Sequence, residues 1–316
     1  LPCVICAFLT LTSLERKAAD RSRGLAVFLL GLVACAFAQP NTVFSAAVIL
    51  APYCILQGMR AYERFSRTKS KKIKALLGVA LAAVIALIWI ACFNLPAMQG
   101  VVTFNWPKRV SIFQGIVNAL LMSFVERPVQ LALAVLVFAG FLRTLSRRED
   151  RWMAFAYLFS LVIFVVGIST DGFAKQLLSG FWYTDPYRLA ATCAVAAIPL
   201  AIVGAGEIFT LLKRLGSLLF SNGEGATVSA ICFAVVLLSI FAPSFTWQGA
   251  GHVDTAFGEV ESLAEGQNSL WNESNVLTAN ELEFSKEALE LIPDGAVIVN
   301  QPNDGSAFLY PLEDAN

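Results

Sequence analysis

Apolar residues along this chain come in blocks, mostly of about 18 to 24, separated by short polar segments, and a helix needs about 20 in succession to cross hydrocarbon. The blocks predict membrane-spanning helices near 24–38, 42–59, 75–93, 128–145, 152–169, 189–212 and 226–244. Residues 1–14 read as the tail of a further helix. The chain opens inside an apolar run with neither Met nor a signal-peptide pattern, so the sequence reads as a fragment.

Between the spans, 94–127 is too long for a simple connection. Ile112, Ile116, Leu120 and Phe124 recur every four residues, with Gln114 and Asn118 off that stripe. This pattern predicts an amphipathic helix near 110–125, with a stripe about thirteen residues long from Ile112 to Phe124, too short to span and lying in the membrane interface. Trp106, Lys108 and Arg109 precede it as headgroup-level anchors. A re-entrant helix that turns back at Glu126-Arg127-Pro128 is the competing reading. Gln39-Pro40-Asn41 makes the shortest connection, where Pro40 stops one helix and Asn41 can cap the next. It is either a plain turn or a place where Gln39 and Asn41 line a cavity. Pro52 and Pro199 predict kinks within spans, which neighbouring helices accommodate in a membrane.

After 244 the pattern changes. Residues 245–278 read as a linker, and 279–316 as the start of an extracytoplasmic α/β domain. There Asn280 and Glu283 fit a capping box, Phe284, Ala288 and Leu291 form an apolar face, and Pro293-Asp294-Gly295 ends the helix. A β-prone run at 296–299 leads into a loop carrying Asn303 and Asp304, at the strand end where α/β layers bind ligands, although Asx-Gly pairs also form plain turns. The predicted fold class is therefore an all-α polytopic transmembrane bundle over 1–244, followed by the opening of a small α/β domain.

Composition agrees: 57% of residues are hydrophobic and 15% charged, with a mean hydropathy of +0.67, too apolar for a soluble domain. The loops 15–23, 60–74, 143–151 and 213–225 hold 17 of the 23 Lys and Arg residues, which places them in the cytoplasm. The segments 39–41, 94–127 and 170–188 then face outward, as does the tail, in a multi-pass protein of the plasma membrane. Net zero charge conceals a division, because 1–244 carries 22 basic and 10 acidic residues and 245–316 carries 1 and 13. An acidic tail excludes nucleic acid as its partner.

No cofactor is identified. All seven Cys lie in apolar segments, the Cys3/Cys6 CxxC lacks further ligands, and His252 is the single histidine, so a divalent metal has no support in the sequence. Glu207 is the one carboxylate well inside a span, placed for snorkelling or local pairing near Lys213 and Arg214. Asn272-Glu273-Ser274 fits a glycosylation acceptor pattern.

Candidate chemistry concentrates in Trp182-Tyr183-Thr184-Asp185-Pro186-Tyr187-Arg188, where an outward loop enters a span. Tyr183 and Tyr187 suit headgroup depth, and Arg188 can bind a lipid phosphate through its planar fork with Asp185 orienting it. The same residues also suit an aromatic belt with a snorkelling Arg and a carboxylate cap. Among the external acids, Asp171 and Asp185 are candidate bases, and Asp171-Gly172 reads equally as a turn.

WYTDPYRLAA, the QPN loop and IPDGAVIVNQPNDGSAFLY resemble a family of actinobacterial multi-pass membrane proteins of unknown function, which is in turn similar to the GT-C class of glycosyltransferases. The family pattern has His where this chain has Gln39, so no acid–base role passes to that residue. The resemblance implies a polyprenyl-phosphate-linked sugar as partner besides membrane lipids. It places the lipid phosphate near Arg188, supported by Asp185 and Tyr187, and the base in a loop preceding Leu1. The alternatives are a secondary transporter or lipid flippase, which would show internal repeats and midplane polar groups, and a non-catalytic envelope scaffold or sensor.

Overall fold

The computed structural model describes residues 1–13, 17–66, 70–220, 224–247, 251–268, 277–293 and 296. They fall into two compact units, Leu1–Val236 and Leu237–Asn316.

The first unit is an all-helical bundle. In order it contains α1 (Pro2–Thr12), α2 (Ala18–Ala38), α3 (Asn41–Phe65), α4 (Lys71–Phe93), α5 (Gln99–Val102), α6 (Ile112–Leu120), α7 (Leu131–Ser146), α8 (Arg151–Ser169), α9 (Phe173–Ser179), α10 (Pro186–Leu219) and the start of α11 (Glu224–Phe241). Six of these, α2, α3, α4, α8, α10 and α11, are long and apolar enough to cross a bilayer, which makes the chain a multi-pass membrane protein. Hereafter the outer end of the bundle is the one that the positive-inside rule assigns to the exterior.

Helix α7 differs from the span read at 128–145. It has 16 residues, about 24 Å of rise against the roughly 30 Å of hydrocarbon. Pro128 holds Arg127 extended, at φ −81° and ψ 158°, so the helix starts only at Leu131. Met122 and Ser123, in the irregular backbone before it, are buried in protein, where such backbone is tolerated within a membrane.

The core is centred on α3, α8 and α10, with Val48, Phe164, Leu189, Cys193 and Leu200 nearly inaccessible. Helix α7 crosses α10 at a pair of glycines. A Cβ on Gly140 would lie 1.8 Å from the Leu200 carbonyl oxygen, and one on Gly204 1.8 Å from that of Leu136. Small residues at such a crossing let backbones touch, which is where helix association in lipid gains its packing energy. One turn further in, Arg143 Nε lies 2.8 Å from Glu207 Oε1, without the alignment of a hydrogen bond. Glu207 is thus paired across two helices, with Arg143 and not with the neighbouring Lys213 or Arg214. At the end of the bundle opposite the outer one, Glu63 takes ion pairs from Lys74, at 2.6 Å, and Arg148, tying two basic loops together.

Helix α6 carries the amphipathic stripe outward. Ile112, Phe113 and Leu120 are 56%, 75% and 59% exposed, while Asn118 is buried and its Oδ1 accepts from Gln114 Nε2 at 2.6 Å. Apolar side chains outside and the Asn118 amide inside, with Gln114 exposed beside it, suit a helix whose surroundings are lipid. It is shorter than the pattern implies, nine residues, because Ser111 Oγ caps it by accepting the Gln114 N–H at 3.2 Å and Met122 turns left-handed at φ 56°.

At the QPN loop, Asn41 does not cap α3 but is its first residue, with Pro40 at the N-cap position. The proline ring already holds a helical φ, so the helix begins one residue early. The Thr42 hydroxyl donates to the Gln39 carbonyl at 2.8 Å and closes the turn.

The second unit is described to residue 296. It holds a two-stranded antiparallel hairpin, β1 (Phe245–Trp247) with β2 (Gly251–Val253), in which Thr246 faces His252, and two helices, α12 (Ala256–Asn268) and α13 (Ala279–Glu290). The hairpin and α12 lie within 245–278, the segment read from sequence as a linker. The buried Thr255 hydroxyl accepts the Gly258 N–H at 2.9 Å and starts α12, a cap hidden among Gly, Ser and Gln. The capping box of α13 is Thr278 with Glu281 and not Asn280 with Glu283. An α/β layer is not present among the described residues. The strand expected at 296–299, apart from Ala296, and the loop with Asn303 and Asp304 lie outside them, as does Asn272-Glu273-Ser274.

Candidate functional site

The outer end of α10 is built on a strained turn. Tyr183 and Thr184 both have left-handed backbone, φ 60° and 51°, costing on the order of 1–3 kcal/mol each for non-glycine residues. Hydrogen bonds hold them there. Tyr183 N–H donates to Gly180 O at 2.8 Å, Thr184 N–H to Ser179 O at 3.2 Å, and Asp185 N–H to Trp182 O at 3.0 Å. Gly180 is packed against Val102, whose carbonyl oxygen would lie 2.9 Å from an added Cβ.

Pro186 then opens α10 as its first residue, and Asp185 caps it, with Oδ1 accepting the Tyr187 N–H at 2.8 Å. The other carboxylate oxygen, Oδ2, lies 3.2 Å from Arg188 Nε. Both oxygens of Asp185 are thereby engaged, one with the backbone and one with the guanidinium. The Arg188 guanidinium stands over the Tyr183 ring at 4.9 Å.

A second cation reaches this turn from the segment between α5 and α6. Arg109 stands over the Tyr187 ring at 5.5 Å, and its backbone N–H donates to Ile168 O at 2.9 Å, fixing its backbone to the end of α8. The structure thus brings together Tyr183, Asp185, Tyr187 and Arg188, all named from sequence, and adds Arg109. Nothing in the sequence links positions 109 and 187.

The same segment is fastened at Trp106 from both sides. Its backbone N–H donates to Thr184 Oγ1 at 2.8 Å, and its carbonyl accepts from Lys175 Nζ at 2.6 Å. Lys175 is wholly buried, and this burial holds its ammonium below the usual lysine range, with the charge of Asp171 pulling the other way. Asp171 is itself exposed, 3.6 Å from Lys108 Nζ, in a loop whose Gly172 adopts φ 86°.

Beneath the turn, Trp182 Nε1 donates to Ser45 Oγ at 2.9 Å, and Ser45 shares a 2.8 Å hydrogen bond with Thr192. This link joins α3 to α10 one turn in from Asn41 and Arg188. Of the two amides expected to line a cavity, Gln39 is exposed and Asn41 is buried. No three His, Cys, Asp or Glu side chains converge among the described residues.

No curated protein and no solved structure matches the chain. A family described as of unknown function, DUF6541, matches residues 1–316, and the chain belongs to that family.

Proposed function

We propose that the chain binds a phosphate-bearing lipid at the outer membrane face and is a GT-C-like glycosyltransferase of the cell envelope, using a polyprenyl-phosphate sugar. One observation carries the binding reading: two guanidiniums, Arg188 and Arg109, flank one turn, each over a tyrosine ring. Asp185 neutralises part of the Arg188 charge, whereas Arg109 has no ion-pair partner among the described residues. Together they offer the singly charged phosphodiester of the donor, and the second negative charge that develops as the sugar departs, a net positive pair of planar donors at headgroup depth.

In the transfer, an acceptor hydroxyl oxygen forms a bond to the anomeric carbon as the bond from that carbon to the phosphate oxygen breaks. The acceptor proton goes to a base, and the electron pair leaves with the polyprenyl phosphate. Cations placed on that phosphate stabilise the charge that develops. Asp185 is committed to the helix cap and to Arg188, so Asp171, exposed and 3.6 Å from Lys108 Nζ, is the carboxylate to test as base.

The test is sugar transfer from a polyprenyl-phosphate donor in proteoliposomes. Wild type is expected to release polyprenyl phosphate, and the Arg188→Ala/Arg109→Ala double variant to lose most of that activity. Unchanged turnover in the double variant would sink the assignment, and lipid translocation without covalent product would favour a flippase.

A further inference from the structure

A cavity of about 660 Å³ lies between α3, α4 and α8 and is roofed by α9. Its walls are Ala51 and Pro52 of α3, Ala86 and Trp89 of α4 and Phe159 of α8, with Leu177 of α9 above. The only polar side-chain group among these, the Trp89 indole N–H, is consumed by the Leu177 carbonyl at 2.8 Å. Counting residues from the outer helix ends puts the lining about 5–22 Å deep at 1.5 Å per residue. That depth covers the outer leaflet and reaches the bilayer centre. Phe159 and Ile90 on its rim remain exposed, so the cavity is a groove that opens sideways to lipid.

At its outer end the groove meets the support of the cationic turn. Trp89 lies 4.7 Å from the Phe181 ring and 6.0 Å from that of Trp182, and Phe181 stacks on Phe44 at 3.9 Å. Phe181 and Trp182 lead directly into Tyr183 and Asp185. A phosphate held above this aromatic layer and a chain lying below it would belong to one molecule.

We infer that the α3/α4/α8 groove holds the isoprenoid chain of the lipid whose phosphate Arg188 and Arg109 bind. This rests on the lipid-phosphate reading of the turn and adds the chain as a recognised part of the substrate. An apolar, laterally open groove at leaflet depth gains nothing from a polar ligand. The small side chains of Ala51 and Ala86 provide the width, and filling them removes it.

The experiment is a native mass-spectrometric titration of the full chain in detergent with three probes: a long-chain polyisoprenyl phosphate, geranyl phosphate, and dioleoyl phosphatidic acid. Ala51→Phe and Ala86→Phe are each expected to weaken the long-chain probe by about tenfold, as loss of a few buried methylenes requires. Geranyl phosphate, too short to fill the groove, should bind these variants as it binds wild type, which also reports that they are folded. Wild-type affinity for the long-chain probe in both variants would overturn the inference. So would tighter binding of phosphatidic acid than of the isoprenoid, which would mark an acyl-chain groove, or loss of self-association in the variants, which would mark a helix contact between copies. Arg188→Ala separates the two claims: if it leaves both isoprenyl phosphates unaffected while the groove variants weaken the long one, the headgroup reading fails and the chain site stands.

Discussion

Lys175 donates from a wholly buried ammonium to the carbonyl oxygen of Trp106 at 2.6 Å. This bond fastens the segment that carries Arg109 onto the layer beneath the Asp185–Arg188 turn, and it makes an ionisable group part of the architecture of the site.

Burial lowers the Lys175 pKa, so between its folded value and the ordinary value of about 10.4 the unfolded chain binds more protons than the folded one. Stability should therefore rise with pH across that alkaline window, and the full cost of the buried charge should persist below it. Thermal unfolding in detergent is expected to show a positive slope in wild type that Lys175→Met removes. An identical slope in both would show that another group titrates there.

Gly140 and Gly204 each leave no room for a side chain, with a carbonyl oxygen 1.8 Å from where a Cβ would stand. Gly140→Ala or Gly204→Ala must open the α7–α10 crossing, and each is expected to cost about 1–3 kcal/mol. Gly206, where an added Cβ would meet nothing within 4 Å, supplies the control, because Gly206→Ala should match or exceed wild-type stability. Denaturation curves of the three variants in one detergent make the comparison.

Arg143 and Glu207, 2.8 Å apart and each about two-fifths exposed on the helix surface, should be coupled energetically. A double-mutant cycle with Arg143→Gln and Glu207→Gln is expected to return a coupling of about 1 kcal/mol. A value indistinguishable from zero would make Glu207 a snorkelling carboxylate after all.

Much of the bundle was legible in sequence because spans depend on length and apolar content, which need no tertiary information. What sequence misplaced depends on local geometry that several residues can satisfy. Thr278 and Asn280 each precede a Glu by three positions, and only the backbone turn at Thr278 decides between the two boxes. Pro128 delays α7 to Leu131 although the apolar run begins earlier. At the site, Asp185 and Arg188 are three residues apart and their pairing follows from helical spacing. Arg109 reaches Tyr187 only through tertiary packing of the segment that Lys175 and Thr184 hold at Trp106.

The most direct test is equilibrium binding of polyisoprenyl phosphate and of the matching uncharged polyisoprenol to wild type, Arg188→Ala and Arg109→Ala. Loss of a charge-assisted contact to phosphate should cost about 1.5–3 kcal/mol, roughly ten- to a hundredfold in affinity. Each substitution is therefore expected to weaken the phosphate by that factor and leave the alcohol unchanged. Equal affinity of wild type for phosphate and alcohol, or phosphate binding untouched by both substitutions, would contradict a lipid-phosphate site at the Tyr183–Arg188 turn.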